Sequence, residues 1–442
     1  MKNNGFYINE LNMKNFIDEL KWRGMLQDII PGTDKHLNNN KSLGYIGFDP
    51  TSDSLHVGSL VPIFILMHFQ NYGHTPVVLL GGATGMIGDP SGKSDERKLL
   101  DKDILDYNFK KLKKQFEKFL DFDSKKENSA ILLNNYDWMS KFSIIEFSRN
   151  IGKHITINYM MAKDSVKKRI GKESNDGMSF TEFTYQLIQG YDFLYLFQNM
   201  NCTVQMGGSD QWGNITTGTE LIRRKENKKA FALTCPLVTK SDGSKFGKSE
   251  SGNVWLDKDK TSAYKFYQYW INVSDEDAKN YIKVFTFLTK KEVEKLIIEH
   301  DKNKGLRILQ KHLADSLTKL IHGEKELGNA LTASKILFGK SSEEDLKSID
   351  SDTIMEIFDG VPNSSLESKS LKVGIDIEIL LSKETNFLKS LGEAKRALNE
   401  NSIYVNKNKV SNNFIVSDKD LINNKFILLQ RGRKNYFLVN IK

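Results

Sequence analysis

The run Pro76-Val-Val-Leu-Leu80, passing directly into Gly81-Gly-Ala-Thr-Gly-Met-Ile-Gly88, constrains the fold more than any other part of this chain. Apolar residues without alternation read as a strand buried on both faces, as in a parallel sheet. Upstream, Leu43-Gly-Tyr-Ile-Gly-Phe48 is a second short apolar run, stopped by Asp49-Pro50. Between the two, Leu60, Ile63, Phe64 and Met67 recur at helical spacing, and Gly73 closes the helix. Strand, helix, strand with a right-handed crossover is half of a doubly wound sheet. The predicted class is therefore α/β, with a Rossmann-like catalytic domain. Ligands of such sheets lie beyond the carboxyl ends of the strands, and Asp49 to Gly58 and Gly81 to Lys93 occupy that edge.

The 442 residues suffice for several domains, and 39% hydrophobic with 27% charged residues is a globular composition. The apolar run Val61 to Met67 is far too short for a bilayer, and the first thirty residues hold no apolar signal region. Two cysteines, Cys202 and Cys235, make neither a disulfide scaffold nor a Cys-rich zinc site, so the expected location is cytoplasmic, without membrane. The expected division has a Rossmann-like domain over 1–234, with a helical insertion at about 120–165. A helical domain with a Lys-rich loop follows over 235–350, then a Ser/Glu/Asp-rich linker over 351–370 and a small domain over 371–442. The net charge of +8 is uneven: residues 401–442 carry eight Lys and Arg against two Asp. A basic module of this kind fits a polyanion; a Lys-rich solvated surface is the other reading.

Gly92-Lys93-Ser94 resembles the end of a phosphate-binding P-loop, but Ile87 stands where the first glycine is required. No Gly-x-Gly-x-x-Gly follows a strand, so the dinucleotide fingerprint is missing too. More informative is Asp49-Pro-Thr-Ser-Asp-Ser-Leu-His56-Val-Gly58-Ser59, which delivers His56 and Gly58 to a helix start suited to a phosphate. Lys240, Lys245 and Lys248 fall within nine residues of a polar, glycine-bearing loop, able to reach a phosphate chain or simply to form a charged turn. A His-x-Gly near the first strand, paired with a Lys-x-x-Lys-Ser loop about 190 residues later, resembles the twin signatures of class I aminoacyl-tRNA synthetases.

Longer colinear blocks sharpen this resemblance. Tyr45 to Ser59, Gly81 to Arg97, Asn134 to Trp138, Ser179 to Asp192, Gly207 to Thr216, Pro236 to Gly252 and Tyr264 to Asn272 are all similar to bacterial-type tyrosyl-tRNA synthetases. Arg431-Gly-Arg-Lys-Asn-Tyr436 resembles the S4-like RNA-binding tail of that family. The implied reaction is activation of L-tyrosine with ATP to tyrosyl-adenylate and pyrophosphate, then transfer to the 3′-terminal ribose of tRNA(Tyr). ATP serves as a substrate carrying Mg²⁺, no metal-binding residues are expected, and the implied assembly is a homodimer through the insertion.

By the resemblance, Thr51 and His56 act on the ATP phosphates, and Lys93, Arg97, Lys240, Lys245 and Lys248 act on the departing pyrophosphate. Asp49, Gly58, Ser59 and Asp210 hold the adenylate. Tyr45 and Asp192 take the tyrosine phenol, Asp89, Tyr185 and Gln189 the ammonium, and Gln211 lies near the carboxylate. Spacing agrees in part, because Tyr185, Gln189 and Asp192 share one helix face, flanked by apolar Phe183, Leu187, Ile188 and Phe193. Two positions depart from the family pattern: Ser59 replaces the second signature His, and Ile46 replaces a frequent Cys. In the tail, an Asn between 399 and 402 replaces a glycine before a strand, an exchange that a left-handed backbone tolerates. Tyr436 and Phe437 alternate with Leu438 and Val439, which favours partial burial over base stacking. The competing readings are a tryptophanyl enzyme, lacking the Tyr45/Asp192 pair, and an RNA-binding protein on a synthetase scaffold.

Overall fold

A computed structural model describes residues 15–91, 99–170, 177–243, 246–249, 252–338, 341–432 and 435–442. The chain divides into two compact units, residues 1–262 with 268–321, and residues 263–267 with 322–442.

The first unit is built on five parallel strands: β1 (Leu43–Phe48), β2 (Thr75–Leu80), β3 (Ile131–Asn134), β4 (Cys202–Gly208) and β5 (Phe231–Cys235). Their order is β3-β2-β1-β4-β5. Winding reverses between β1 and β4, so the crevice at their carboxyl ends is the expected ligand site. Register places Tyr45 beside Val77 and Gln205. The helix Leu60–Asn71 is apolar nearly all round and correspondingly buried between other elements. The helix Phe180–Met200 is capped by Ser179 and ended by Asn201 at φ 53°. It packs on the helix Trp212–Glu226 at Gly190 and Gly218. A hairpin of β6 (Lys248–Ser249) and β7 (Gly252–Asn253) follows β5.

The sequence reading needs correction at three places. The insertion at 120–165 is not wholly helical, because β3 within it forms an edge of the main sheet. Its four residues are only half-buried, so neither alternation nor a fully apolar run announces them. The boundary at 234 falls inside β5, and the helices expected in one domain over 235–350 are shared between the two units. Finally, 351–370 is no linker: it carries the helix Ser351–Ile357 and the strand β8 (Asn363–Leu366).

The second unit contains β8, β9 (Ile375–Asp376), β10 (Ile403–Val405), β11 (Asn408–Lys409), β12 (Ile415–Val416), β13 (Phe426–Arg431) and β14 (Asn435–Ile441). Five of these form the sheet β11-β10-β13-β14-β8, in which β8 runs parallel to β14. The helix Leu391–Asn399 buries Ala394, Ala397 and Leu398 in the core under this sheet. Asn401, on the approach to β10, has φ 55°, the left-handed backbone expected of an Asn in a glycine position. Phe437 is core and Tyr436 half-buried, as their alternation predicts.

Candidate active site

A cavity of about 580 Å³ opens at the carboxyl ends of β1 and β4, a size typical of small-molecule sites. Its lining includes Tyr45, Asp49, Thr51, His56, Gly58, Ser59, Asp89, Tyr185, Gln189, Asp192, Asp210 and Gln211, brought together from segments up to 166 residues apart. Lys240 is not among the lining residues; it starts a turn closed by Gly243 N–H donating to its carbonyl. Lys93, Arg97 and Lys245 lie outside the described residues, and of Lys248 only the backbone, in β6, is described.

At the inner end stands Asp192, completely buried. Its Oδ1 accepts from Trp138 Nε1 at 2.8 Å and its Oδ2 from Asn135 Nδ2 at 3.0 Å. Burial raises its pKa to about 7, although both donors pull the other way. In the same lining, the Tyr45 hydroxyl is buried without a hydrogen-bond partner among the described residues, and after burial the Asp192 charge pushes its pKa up. A polar group left so is costly unless a ligand satisfies it, and a phenol hydroxyl, donating to Asp192 and accepting from Tyr45, fits both.

Further out, Tyr185 donates its hydroxyl to Asp49 Oδ2 at 2.9 Å, and Thr84 Oγ1 donates to Asp49 Oδ1 at 2.6 Å. Burial, then Asp49, pushes the Tyr185 phenol pKa well above its ordinary value, so its oxygen keeps its proton and offers lone pairs to a cation. Gly81 is required here: a Cβ would lie 2.1 Å from Asp49 Oδ1. Asp89 accepts from Ser91 N–H at 2.9 Å and from Gln211 Nε2 at 2.6 Å. The Asp210 pKa is raised, by burial first and then by Asp89. Four carboxylates and no lysine or arginine line the cavity among the described residues, which suits an ammonium and a ribose but not a bare phosphate.

His56 sits at the mouth. Its Nδ1 accepts from Gly58 N–H at 3.0 Å, as the cap of the short helix Val57–Ser59 that opens into Leu60–Asn71. With Nδ1 accepting, the ring's Nε2 carries the donor proton. Thr51 is exposed on the same loop. Gly247 approaches this helix start so closely that a Cβ would lie 3.0 Å from Gly58 N, and its φ of 82° also favours glycine.

Sequence reasoning assigned no role to Asn135 or Trp138, although both lie in the block Asn134 to Trp138 that carried the resemblance. Asn135 also accepts from Ala83 N–H at 2.7 Å and donates to Thr84 Oγ1 at 3.1 Å, joining the glycine-rich loop to the phenol end. Trp255, the ring edge-on to His56 at 6.0 Å, and Asn253 are further lining residues without a sequence signal. Among the described residues, no group of three or more His, Cys, Asp or Glu is placed to hold a metal ion.

Comparison with known proteins gives matches over most of the chain. Residues 37–339 match the family described as tRNA synthetases class I (W and Y), and residues 353–439 match the tyrosine--tRNA ligase SYY-like C-terminal domain. The chain is 60% identical over 432 residues to a tyrosine--tRNA ligase of Flavobacterium psychrophilum, covering 97% of this chain and all of that protein. It is 53% identical over 429 residues to that of Porphyromonas gingivalis, with the same coverage. Among solved structures, a C-terminally truncated mitochondrial tyrosyl-tRNA synthetase from Aspergillus nidulans superposes with a TM-score of 0.66 at 32% identity, covering 74% of this chain and 95% of that one.

Proposed function

Because the chain belongs to the class I tRNA synthetases for tryptophan and tyrosine, and within them to the tyrosine--tRNA ligases, we propose that the β1–β4 cavity activates L-tyrosine with ATP. A hydroxyl of the terminal ribose of tRNA(Tyr) then attacks the tyrosyl carbonyl of the adenylate, the bond to the phosphate breaks, and AMP leaves. The observation that carries this assignment is the buried Tyr45 hydroxyl, without a partner among the described residues, in the same cavity lining as the doubly hydrogen-bonded Asp192.

In this reading the phenol lies between Tyr45 and Asp192. The ammonium lies against Asp89, Gln189 and the Tyr185 oxygen, and Gln211 is near the carboxylate. Tyrosine's carboxylate attacks the α-phosphorus, the P–O bond to the β-phosphate breaks, and pyrophosphate leaves. A carboxylate needs no general base, so the protein acts through position and charge. The Asp49 backbone, Gly58, Ser59 and Asp210 hold the adenosine part, while His56 and Thr51 donate to the phosphates. Because the described lining holds four aspartates and no cationic lysine or arginine, the countercharge for pyrophosphate is assigned, by the sequence motifs, to Lys93, Arg97, Lys240, Lys245 and Lys248. Mg²⁺ enters on the ATP phosphates as part of the substrate. ATP–pyrophosphate exchange with each of the twenty amino acids tests the assignment: exchange with tyrosine alone supports it, and exchange with tryptophan or with none refutes it.

The Asp192 pKa gives a pH signature. A phenol donating to Asp192 stabilises the carboxylate, so binding draws its pKa down from about 7. Tyrosine is therefore expected to bind about 10-fold more weakly at pH 6 than at pH 8, with proton release on binding. Without ligand the sign is opposite. A carboxyl whose pKa is raised on folding contributes stability that is full below its unfolded value near 4 and is lost as pH rises through about 7. Calorimetry in buffers of different ionisation enthalpy checks this; proton uptake at pH 7 would mean that Asp192 binds as the acid.

We assign the homodimer to the insertion, whose helices Ile144–Asn150 and Ile157–Met161 leave Ile144 and Ile145 each 75% exposed and Ile157 61% exposed. Apolar side chains grouped in this way are costly in water and suit a second copy of the chain. Sedimentation equilibrium should give a dimer, and Ile144→Glu with Ile145→Glu a monomer; an active wild-type monomer contradicts the assignment.

The basic tail is assigned to tRNA, with fewer unengaged cations than its sequence suggests. Lys407 donates to Ile336 O at 2.9 Å and Tyr436 OH at 2.8 Å, and burial lowers its pKa to about 8. Arg431 pairs with Glu393 at 2.6 Å. Besides exposed Lys442, exposed Lys409, Lys419 and Lys425 remain, with Arg433 and Lys434 outside the described residues. Changing these three exposed lysines to Glu should leave pyrophosphate exchange intact and reduce the slope of log affinity for tRNA against log salt by about 2. An unchanged slope places the RNA elsewhere. Truncation near residue 365 is a poorer test, because it cuts through β8 and removes β14, the strand with which β8 pairs.

No described helix is long and apolar enough to cross a membrane. The two free, buried cysteines, Cys202 and Cys235, support a reducing cytoplasm as the place of action.

A further inference from the structure

The helix Lys102–Phe116 is basic, and its buried face bears two amides among Leu105, Leu112 and Phe116. Asn108 and Gln115 lie two turns apart on this face, both buried, with Leu112 between them. Asn108 Nδ2 donates to Pro50 O at 2.8 Å. Gln115 Oε1 accepts from Leu55 N–H at 2.9 Å, and its Nε2 donates to Ser54 Oγ at 3.0 Å. All three bonds end on the loop between Asp49 and His56.

Ser54 extends the connection. Its hydroxyl, also buried, donates to Leu55 O at 2.7 Å and accepts from Asp257 N–H at 3.1 Å as well as from Gln115. Beside it, Leu256 N–H donates to Leu55 O at 2.8 Å, and Val57 N–H donates to Val254 O at 2.9 Å. His56 and Trp255 thereby form an antiparallel bridge. Val254 N–H donates in turn to Gly247 O at 3.1 Å, within the Lys245-Phe-Gly-Lys248 signature. The His56 loop and the stretch leaving the lysine hairpin are thus held in one register, and Ser54 and Gln115 sit at the node.

We propose that Gln115 and Ser54 are positioning residues for adenylate formation: they fix the two signature loops relative to each other, so that His56 and the lysine hairpin meet the ATP phosphates together. The proposal rests on the assignment of those loops to ATP. Gln115 is not among the lining residues of the cavity, and Ser54 lines it on the His56 loop, so their loss should appear in turnover and leave tyrosine recognition alone. The two residues share hydrogen bonds, so their effects should not add.

The test uses the full-length enzyme with Ser54→Ala, Gln115→Met and the double variant. A control is Gln70→Met, since Gln70 is an equally buried amide that holds Asp121 and Asn128 and contacts neither signature loop. Each node variant should lose about 10- to 100-fold in kcat for ATP–pyrophosphate exchange, with tyrosine KM within about twofold of wild type. The double variant should lose no more than about twice the worse single one. Gln70→Met should lower Tm comparably and leave kcat within about twofold. Should Gln115→Met fail to fold, Ser54→Ala carries the test by itself. Losses that multiply in the double variant, fall in tyrosine KM, or match the control at equal Tm would show a merely structural node. Wild-type enzyme inactive in exchange would refute the assignment of the loops instead.

Discussion

Asp192→Asn is expected to lower kcat/KM for tyrosine by about 100-fold while changing that for phenylalanine by less than about threefold. The carboxylate has two fixed donors, Trp138 Nε1 and Asn135 Nδ2, one on each oxygen. An Asn amide turns an NH₂ toward one of them, and two donors then face each other in a buried site. Either the ring of donors shifts or the phenol loses its acceptor, and each costs tyrosine a hydrogen bond to a charged group, about 1.5–3 kcal/mol. Phenylalanine brings no hydroxyl, never forms that bond, and has little to lose. Discrimination between the two should therefore collapse by about the factor lost for tyrosine. Tyr45→Phe removes the other partner, a neutral one, and should erode discrimination by about 10-fold. Exchange kinetics with both amino acids decide the matter; equal losses for tyrosine and phenylalanine would make these residues structural supports.

Lys245→Ala and Lys248→Ala should each slow tyrosyl-adenylate formation by about 10²- to 10³-fold with tyrosine affinity within about twofold of wild type. Negative charge accumulates on the departing pyrophosphate as the α-phosphate becomes pentavalent. The described lining of the cavity carries carboxylates without lysine or arginine, so the positive charge must come from beyond it. Interactions that form only then raise kcat and leave ground-state binding of tyrosine unaffected. Pre-steady-state quenching with labelled ATP measures the first quantity and calorimetry the second. A parallel loss of tyrosine binding would mean that the substitution had disturbed the neighbouring loop at Gly58.

What could be read from residues alone was whatever a short-range period or a contiguous motif encodes. The unalternating strands β1 and β2, with a helix between them, imply a parallel sheet, because only burial on both faces permits such runs. The four-and-three spacing of Tyr185, Gln189 and Asp192 placed them on one helix face, and all three line the cavity. The signature blocks marked His56, Gly58 and the aspartates, because a loop that must meet a ligand keeps its chemistry in consecutive residues. Tertiary structure alone decided which groups those residues answer to. Asn135 and Trp138 reach Asp192 across 57 and 54 residues, and Gln115 reaches Leu55 across 60. β3 and β8 are too short and too partly buried to show a period, and they became strands only through the neighbours that pair with them. Charge alone overcounted the unengaged cations of the tail for the same reason. A count of lysines and arginines includes Lys407 and Arg431, which the fold engages with Ile336, Tyr436 and Glu393. Periodicity records which face a residue turns inward; only the folded chain determines what it meets there.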